Sequence, residues 1–187
     1  MVTIKGTPIS DSIRTIKERD GEVKFAKILE LLDNDTRALF ESRIIASAWY
    51  PLDAYVQFLA ADLQVTASNN EKVLLRRSEL LIDKQLRGIY RAFVRLGSAE
   101  FVIERLSAIH KTYFSGVTIE TRSTGVNQAT VKYVGFEPQH RLMEFVILGF
   151  FRKALEISGA KQITADFSTA AAENRGYWEL DLKWAGK

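Results

Sequence analysis

Groups able to do chemistry are few in this chain. It carries two histidines, His110 and His140, and no cysteine, which removes disulfides, thiol nucleophiles, iron–sulfur clusters and cysteine-rich zinc sites together. Neither histidine has a second His or Cys at the i+3 or i+4 spacing that puts two ligands on one helix face, so no metal site is expected. His110 falls near the end of a helical pattern, where the negative pole of the helix favours a cation. His140 falls early in the next helical pattern and is expected at the surface. No Gly-x-Ser-x-Gly turn, phosphate-cradling glycine loop or metal-spaced carboxylate cluster is present, and the chain is not expected to be an enzyme.

The most regular charged pattern is Lys84, Arg87, Arg91 and Arg95, spaced three, four and four apart so that a continuous helix would align them, with Arg76 and Arg77 as an extension. Such a stripe suits an acidic partner or a phosphate-bearing ligand. Pairing of Asp83 with Arg87, and of neighbouring acids with the rest, would instead leave a solvated or internally braced face. Aromatic side chains do not interleave with it as stacking platforms, so nucleic acid is not an expected partner. Asn34-Asp35-Thr36 has the form of a glycosylation acceptor and reads better as turn and cap chemistry.

These residues need a scaffold, and the chain can build one. Its 187 residues are 47% hydrophobic and 26% charged, a globular balance that excludes disordered, collagenous and membrane-spanning classes. The 26 Lys and Arg exceed the 23 Asp and Glu by only +3, a weak pull toward polyanions. No apolar leader is visible after Met1-Val2-Thr3-Ile4-Lys5, and the most apolar run, Leu142 to Leu155, is broken by Glu144, Gly149, Arg152 and Lys153. That run falls short of the roughly 20 apolar residues of a spanning helix, so a cytoplasmic chain without a membrane span is expected.

Periodicity then orders the elements. Thr7 is the expected N-cap of a first helix with Pro8 in its first turn, carrying Ile9, Ile13 and Ile16 and ending at Gly21. A second helix holds Val23, Phe25, Ile28, Leu29 and Leu32, and a short third one follows the Asp33-Asn34-Asp35 turn. Trp49 and Tyr50 sit in an extended stretch before Pro51, which opens a longer helix with Leu52, Tyr55, Val56, Leu59 and Leu63 on one stripe. After Ser68-Asn69-Asn70, a helical pattern runs from Glu71 to Leu96 with a junction at Gly88, and Ser98 caps another that ends near Tyr113 and Phe114.

Past Gly116 the period changes to two: Val117–Arg122 and Gln128–Phe136 form a hairpin with its tip at Gly125-Val126-Asn127. Pro138 begins an apolar helix that ends at Ser158-Gly159. Two last strands follow, with Ile163, Ala165 and Phe167 on one face of the first and Trp178, Leu180, Leu182 and Trp184 on one face of the second. The expected fold is α+β: six or seven helices packed with a C-terminal ββαββ four-stranded antiparallel sheet, in one domain over 1–187 whose helical part is 1–115 and whose ββαββ part is 116–187. Trp49, Tyr50, Trp178 and Trp184 are core anchors or interface residues.

This order of elements resembles the heme nitric-oxide/oxygen-binding (H-NOX) superfamily, which also takes in 4-vinyl-reductase-like domains and Bet-three-like transport subunits, over nearly the whole chain. Ile4-Lys5-Gly6-Thr7, Trp49-Tyr50-Pro51 and, most specifically, the stretch Gly88-Ile89-Tyr90-Arg91-Ala92-Phe93-Val94-Arg95-Leu96-Gly97-Ser98 are similar to an uncharacterised paralogous family numerous in myxobacteria. Heme-binding relatives carry an iron-ligating histidine on the helix before the first hairpin and a Tyr-x-Ser-x-Arg motif for the propionates. Here the middle turns of that helix read Val102, Ile103, Glu104 and Arg105, with His110 nearer the strand. The motif region reads Tyr133-Val134-Gly135-Phe136-Glu137-Pro138-Gln139-His140-Arg141, where Tyr133 and Arg141 echo the motif at the wrong spacing. The vinyl-reductase type places cysteines around the last hairpin, and Phe167 to Tyr177 contains none. The resemblance therefore implies a heme-free domain without a cofactor.

It also implies that the helices carrying Phe101, Leu106 and Ile109, and Met143, Phe145, Val146, Phe150 and Phe151, border a pocket. The expected function is a sensory domain that holds a small hydrophobic molecule between these helices and the sheet. The alternative is a signalling or scaffolding module that works by protein–protein contact, with itself or with a partner, and without a ligand.

Overall fold

The structure, a computed structural model, describes residues 1–85 and 98–186. The junction at Gly88, the apolar positions Ile89, Phe93 and Val94, and Arg87, Arg91 and Arg95 of the basic stripe lie outside the described residues. The chain divides into two compact units: residues 1–73 with 113–116, and residues 74–112 with 117–187. Residues 74–112, from the middle of the chain, fall in one unit with the late sheet.

In the first unit, β1 (Thr3–Lys5) lies between β2 (Trp49–Pro51) and β3 (Phe114–Ser115), antiparallel to both. Periodicity cannot show strands of two or three residues. Helix α1 (Gly6–Glu30) contains both of the first two expected helices, broken at Gly21, whose backbone has φ 82° and ψ 169°. Thr7 is not its cap: Lys5 holds that position, and the Thr7 hydroxyl donates to the Ala46 carbonyl at 3.1 Å. Helix α2 (Asn34–Glu41) is capped by Asp33, whose carboxylate accepts from Thr36 N at 2.7 Å, so the Asn34-Asp35-Thr36 triplet is indeed cap chemistry. Backbone and side-chain bonds to Thr36 hold the Asp33 carboxyl below its ordinary range. Helix α3 (Leu52–Ala67) starts after Pro51 and stops where Ser68 turns left-handed. Its Phe58 stacks on Phe40 at 4.3 Å and meets the edge of Phe25 at 6.3 Å, which fixes the centre of this unit.

In the second unit, α4 (Lys72–Gln85, of which Leu74 onward belongs here), α5 (Ala99–Tyr113, up to Thr112) and α6 (Leu142–Ser158) join a sheet of β4 (Thr118–Gly125), β5 (Gln128–Val134), β6 (Lys161–Thr169) and β7 (Tyr177–Ala185). The strand order is β4-β5-β7-β6, antiparallel throughout, so the α+β architecture with a ββαββ sheet is as the sequence implies. Pro138 opens a short 3-10 turn over Pro138–His140, and α6 proper starts at Leu142. Strand alternation buries Ala129, Val131 and Tyr133 of β5 and Trp178, Leu180, Leu182 and Trp184 of β7 on one face.

Helix α4 is fixed to α6 by a close crossing. A Cβ at Gly149 would run into the Leu75 carbonyl oxygen and come within 2.7 Å of Ser78 Cβ, while the Ser78 hydroxyl donates to the Val146 carbonyl at 2.7 Å. Only glycine permits that approach. Arg152 with Glu79 at 3.4 Å and Lys153 with Asp83 at 3.8 Å flank it. Among the described residues no helix is long and apolar enough to cross a membrane.

Candidate functional site

The buried centre of the second unit is built by two periodicities meeting. On α5, Val102, Ile103, Leu106, Ser107 and His110 fall on one inward stripe. Two polar pins hold that stripe to the sheet. The Thr121 hydroxyl of β4 donates to Ser107 Oγ at 2.7 Å, and Ser107 in turn donates to the Ile103 carbonyl at 2.9 Å. Three residues further on, His110 Nδ1 and the Tyr133 hydroxyl of β5 share a hydrogen bond of 2.8 Å.

That second pair is sealed. Tyr133 is 0% exposed and His110 4%. The ring of Phe150 lies 4.3 Å from the imidazole and that of Phe151 5.3 Å, edge-on. On the far side, Phe136 stacks on Tyr133 at 5.6 Å and meets Trp178 at 4.7 Å. Burial away from water pushes His110 down from 6.5 to about 3 and Tyr133 well above 10. His110 is therefore neutral at physiological pH, and the expected helix-end cation is corrected: the helix phase turns it inward, and desolvation outweighs the favourable pole. His140 is corrected too. It is 1% exposed, its Nδ1 accepts from the Glu137 backbone N–H at 3.0 Å, and its ring meets the edge of Phe136. Among the described residues no group of three or more His, Asp or Glu is placed to hold a metal ion.

Of the eight residues expected to border a pocket, Leu106, Met143, Phe150 and Phe151 are buried, Ile109, Phe145 and Val146 are half-buried, and Phe101 is 40% exposed under the guanidinium of Arg105. Phe101 differs because it lies on the opposite side of α5 from the Ile103–His110 stripe. Phe150 is the one brought against the His110 ring, and Phe151 beside it completes the contact. The sequence shows Tyr133 as a motif echo and not as a partner for His110; its inward alternation with Ala129 and Val131 is the signal that places it.

Among the described residues, concavities open elsewhere. A recess of about 260 Å³ lies at the start of α5, bordered by Ser98, Glu100, Asn127 and Trp184 and by none of the eight expected residues. Ser98 caps that helix, accepting from Phe101 N at 3.2 Å. In the first unit an open groove of about 700 Å³ runs along both halves of α1 and past α2 to Ile44. Trp178 and Trp184 are core residues, whereas Trp49 is 44% exposed with Lys5 Nζ 3.9 Å over its ring.

The fold is H-NOX-like. An H-NOX protein from K. algicida, solved in the Fe(II) unliganded state, superposes with a TM-score of 0.69 over 98% of this chain and 98% of that chain at 12% identity. One from S. oneidensis in the Fe(II)CO state gives 0.67 over 98% and 100% at 16% identity, and a mutant of the T. Tengcongensis protein gives 0.58 over 98% and 98% at 13%. No family model matches the chain, and no curated protein matches it.

Proposed function

We propose that this chain is a heme-free domain of the H-NOX-like fold that acts by protein–protein contact in signalling or scaffolding. The observation that carries this reading is the sealed His110–Tyr133 pair, because the protein's own side chains occupy the place between α5, α6 and the sheet that a bound molecule would need.

The residues do not suit a heme. The tyrosine of the motif echo is 0% exposed and its hydroxyl is spent on His110. Two and four positions after it stand Gly135 and Glu137, so a carboxylate occupies the place of the motif's propionate-binding arginine. The middle turns of α5 present Val102 and Ile103 inward and Glu104 and Arg105 outward, with no imidazole among them. A small hydrophobic molecule, the other reading, would have to part rings that stand 4.3 to 5.7 Å apart around His110 and lose their contact.

Native mass spectrometry of the purified protein, alone and after addition of hemin, tests the proposal. The expected spectrum shows the chain without a bound small molecule in both samples. A stoichiometric hemin adduct with a shifted Soret band that His110→Ala removes would overturn the heme-free reading. A copurified lipid-like molecule lost in Phe150→Trp would overturn it in favour of ligand binding.

A further inference from the structure

The groove of the first unit has the walls of a helix-binding cleft. On one side stand Ser10, Ile13, Arg14 and Lys17, and on the other Glu22, Phe25, Ala26 and Leu29, each set at i, i+3, i+4 and i+7. The break at Gly21 separates the two stripes of what would otherwise be one straight helix. Phe40 and Ile44 close the end. Phe25 and Phe40 are buried, Ile13, Leu29 and Ile44 are half-buried and Ala26 is exposed, so the floor is apolar and incompletely covered. Val23, next to the second stripe, is 72% exposed and extends the apolar surface.

The rim has a sign. Its cations are already held by the protein's own carboxylates: Arg14 by Asp11 at 2.6 Å and Glu18 at 4.0 Å, and Lys17 by Glu22 at 3.1 Å while lying 4.4 Å over the Phe25 ring. Along the lining Glu18, Glu22 and Glu41 outnumber Arg14 and Lys17, and Asp11 beside Arg14 adds a further carboxylate, so the rim around the apolar floor is net acidic. Resting on the reading of the chain as an interaction module, we infer that this groove receives an amphipathic helix of a partner protein, with an apolar i, i+3, i+4, i+7 face and Lys or Arg on its flanks. A helix of about two to three turns presents the side chains that such stripes accept, and basic flanks meet the acidic rim.

The test is fluorescence anisotropy of the full chain with a labelled synthetic helix of about 18 residues, Leu on one face and Lys on both flanks, beside a counterpart with Glu for Lys. The Lys peptide is expected to bind about tenfold tighter than the Glu peptide, and raised salt should narrow that gap. Ala26→Arg, at an exposed floor position, should weaken binding about tenfold or more, and Glu22→Lys with Glu41→Lys should cancel the preference for Lys. Circular dichroism of each variant checks that it folds. Equal binding of the two peptides, or binding unchanged by Ala26→Arg, would overturn the inference. So would a concentration-dependent dimer of the free protein that Ala26→Arg dissolves, since a second copy would then own the groove. None of these outcomes changes the hemin and native-mass results, so the failure of the groove and the failure of the heme-free reading are told apart.

Discussion

The two units use the same aromatic currency to opposite ends. In the second, Phe136, Phe150, Phe151 and Trp178 close around a histidine and a tyrosine whose polar atoms satisfy each other. In the first, Phe25, Phe40 and Phe58 also stack into a centre, but its border at Ile13, Leu29 and Ile44 is left half covered. A buried polar pair inside an apolar shell tolerates little rearrangement, because opening it exposes rings and leaves two desolvated groups to be satisfied again. A half-covered helical groove has no such restraint. The closed unit is thus suited to be scaffold and the open one to meet a partner.

That contrast can be broken most forcefully at Phe151. It is fully buried, and Phe151→Ala should cost about 3–5 kcal/mol in urea unfolding. Leu29→Ala, at the half-covered border of the groove, should cost about 1 kcal/mol. Similar losses at both positions would mean the groove is as much a part of its core as the sealed centre is.

Acidification acts next. His110 titrates at 6.5 in the unfolded chain and at about 3 in the folded one, so between those values the unfolded state binds a proton that the native state does not. The contribution of this group is intact above pH 6.5 and is lost at ~1.4 kcal/mol per pH unit as the pH falls toward about 3. Urea midpoints at pH 7 and pH 5 should therefore differ by more in the native sequence than in His110→Gln, which keeps polar atoms near Tyr133 without a titrating ring. A smaller effect is due to the hydroxyl alone: Tyr133→Phe removes the partner 2.8 Å from His110 Nδ1 and should cost about 1–3 kcal/mol while raising the affinity of the groove for the Lys peptide not at all.

Much of the scaffold was readable because it obeys two periods. The change at Gly116, the alternation of Trp178, Leu180, Leu182 and Trp184, and the apolar α6 give the ββαββ sheet directly. The small sheet of β1, β2 and β3 was not readable, since strands of two and three residues pair residues as distant as Ile4 and Phe114, and only backbone hydrogen bonding defines them. The site was half readable. The phase of α5 turns His110 inward with Ile103 and Leu106, and the alternation of β5 turns Tyr133 inward. Their meeting depends on how α5 is set over β5, which the sequence pattern does not contain. Reading His110 as a helix-end cation and His140 as a surface group failed for a related reason: an imidazole can be buried when a hydroxyl or a backbone N–H answers its nitrogen. The division of the chain near Val73 depends on the crossing at Gly149, a contact between residues far apart in sequence.

The finest probe of the comparison is Gly21, because it separates backbone conformation from space. At φ 82° and ψ 169° it occupies a region open essentially to glycine, yet a Cβ added there meets nothing within 4 Å. Gly21→Ala should cost about 1 kcal/mol from backbone strain alone. If the strain is relieved by straightening α1, the stripes at Ile13–Lys17 and Phe25–Leu29 no longer face one groove, and affinity for the Lys peptide should drop while the acid limb set by His110 stays as it is. Anisotropy and urea titrations on one preparation read both. A variant with lowered stability but unaltered peptide affinity would show that the break tunes the fold of the first unit without shaping its groove.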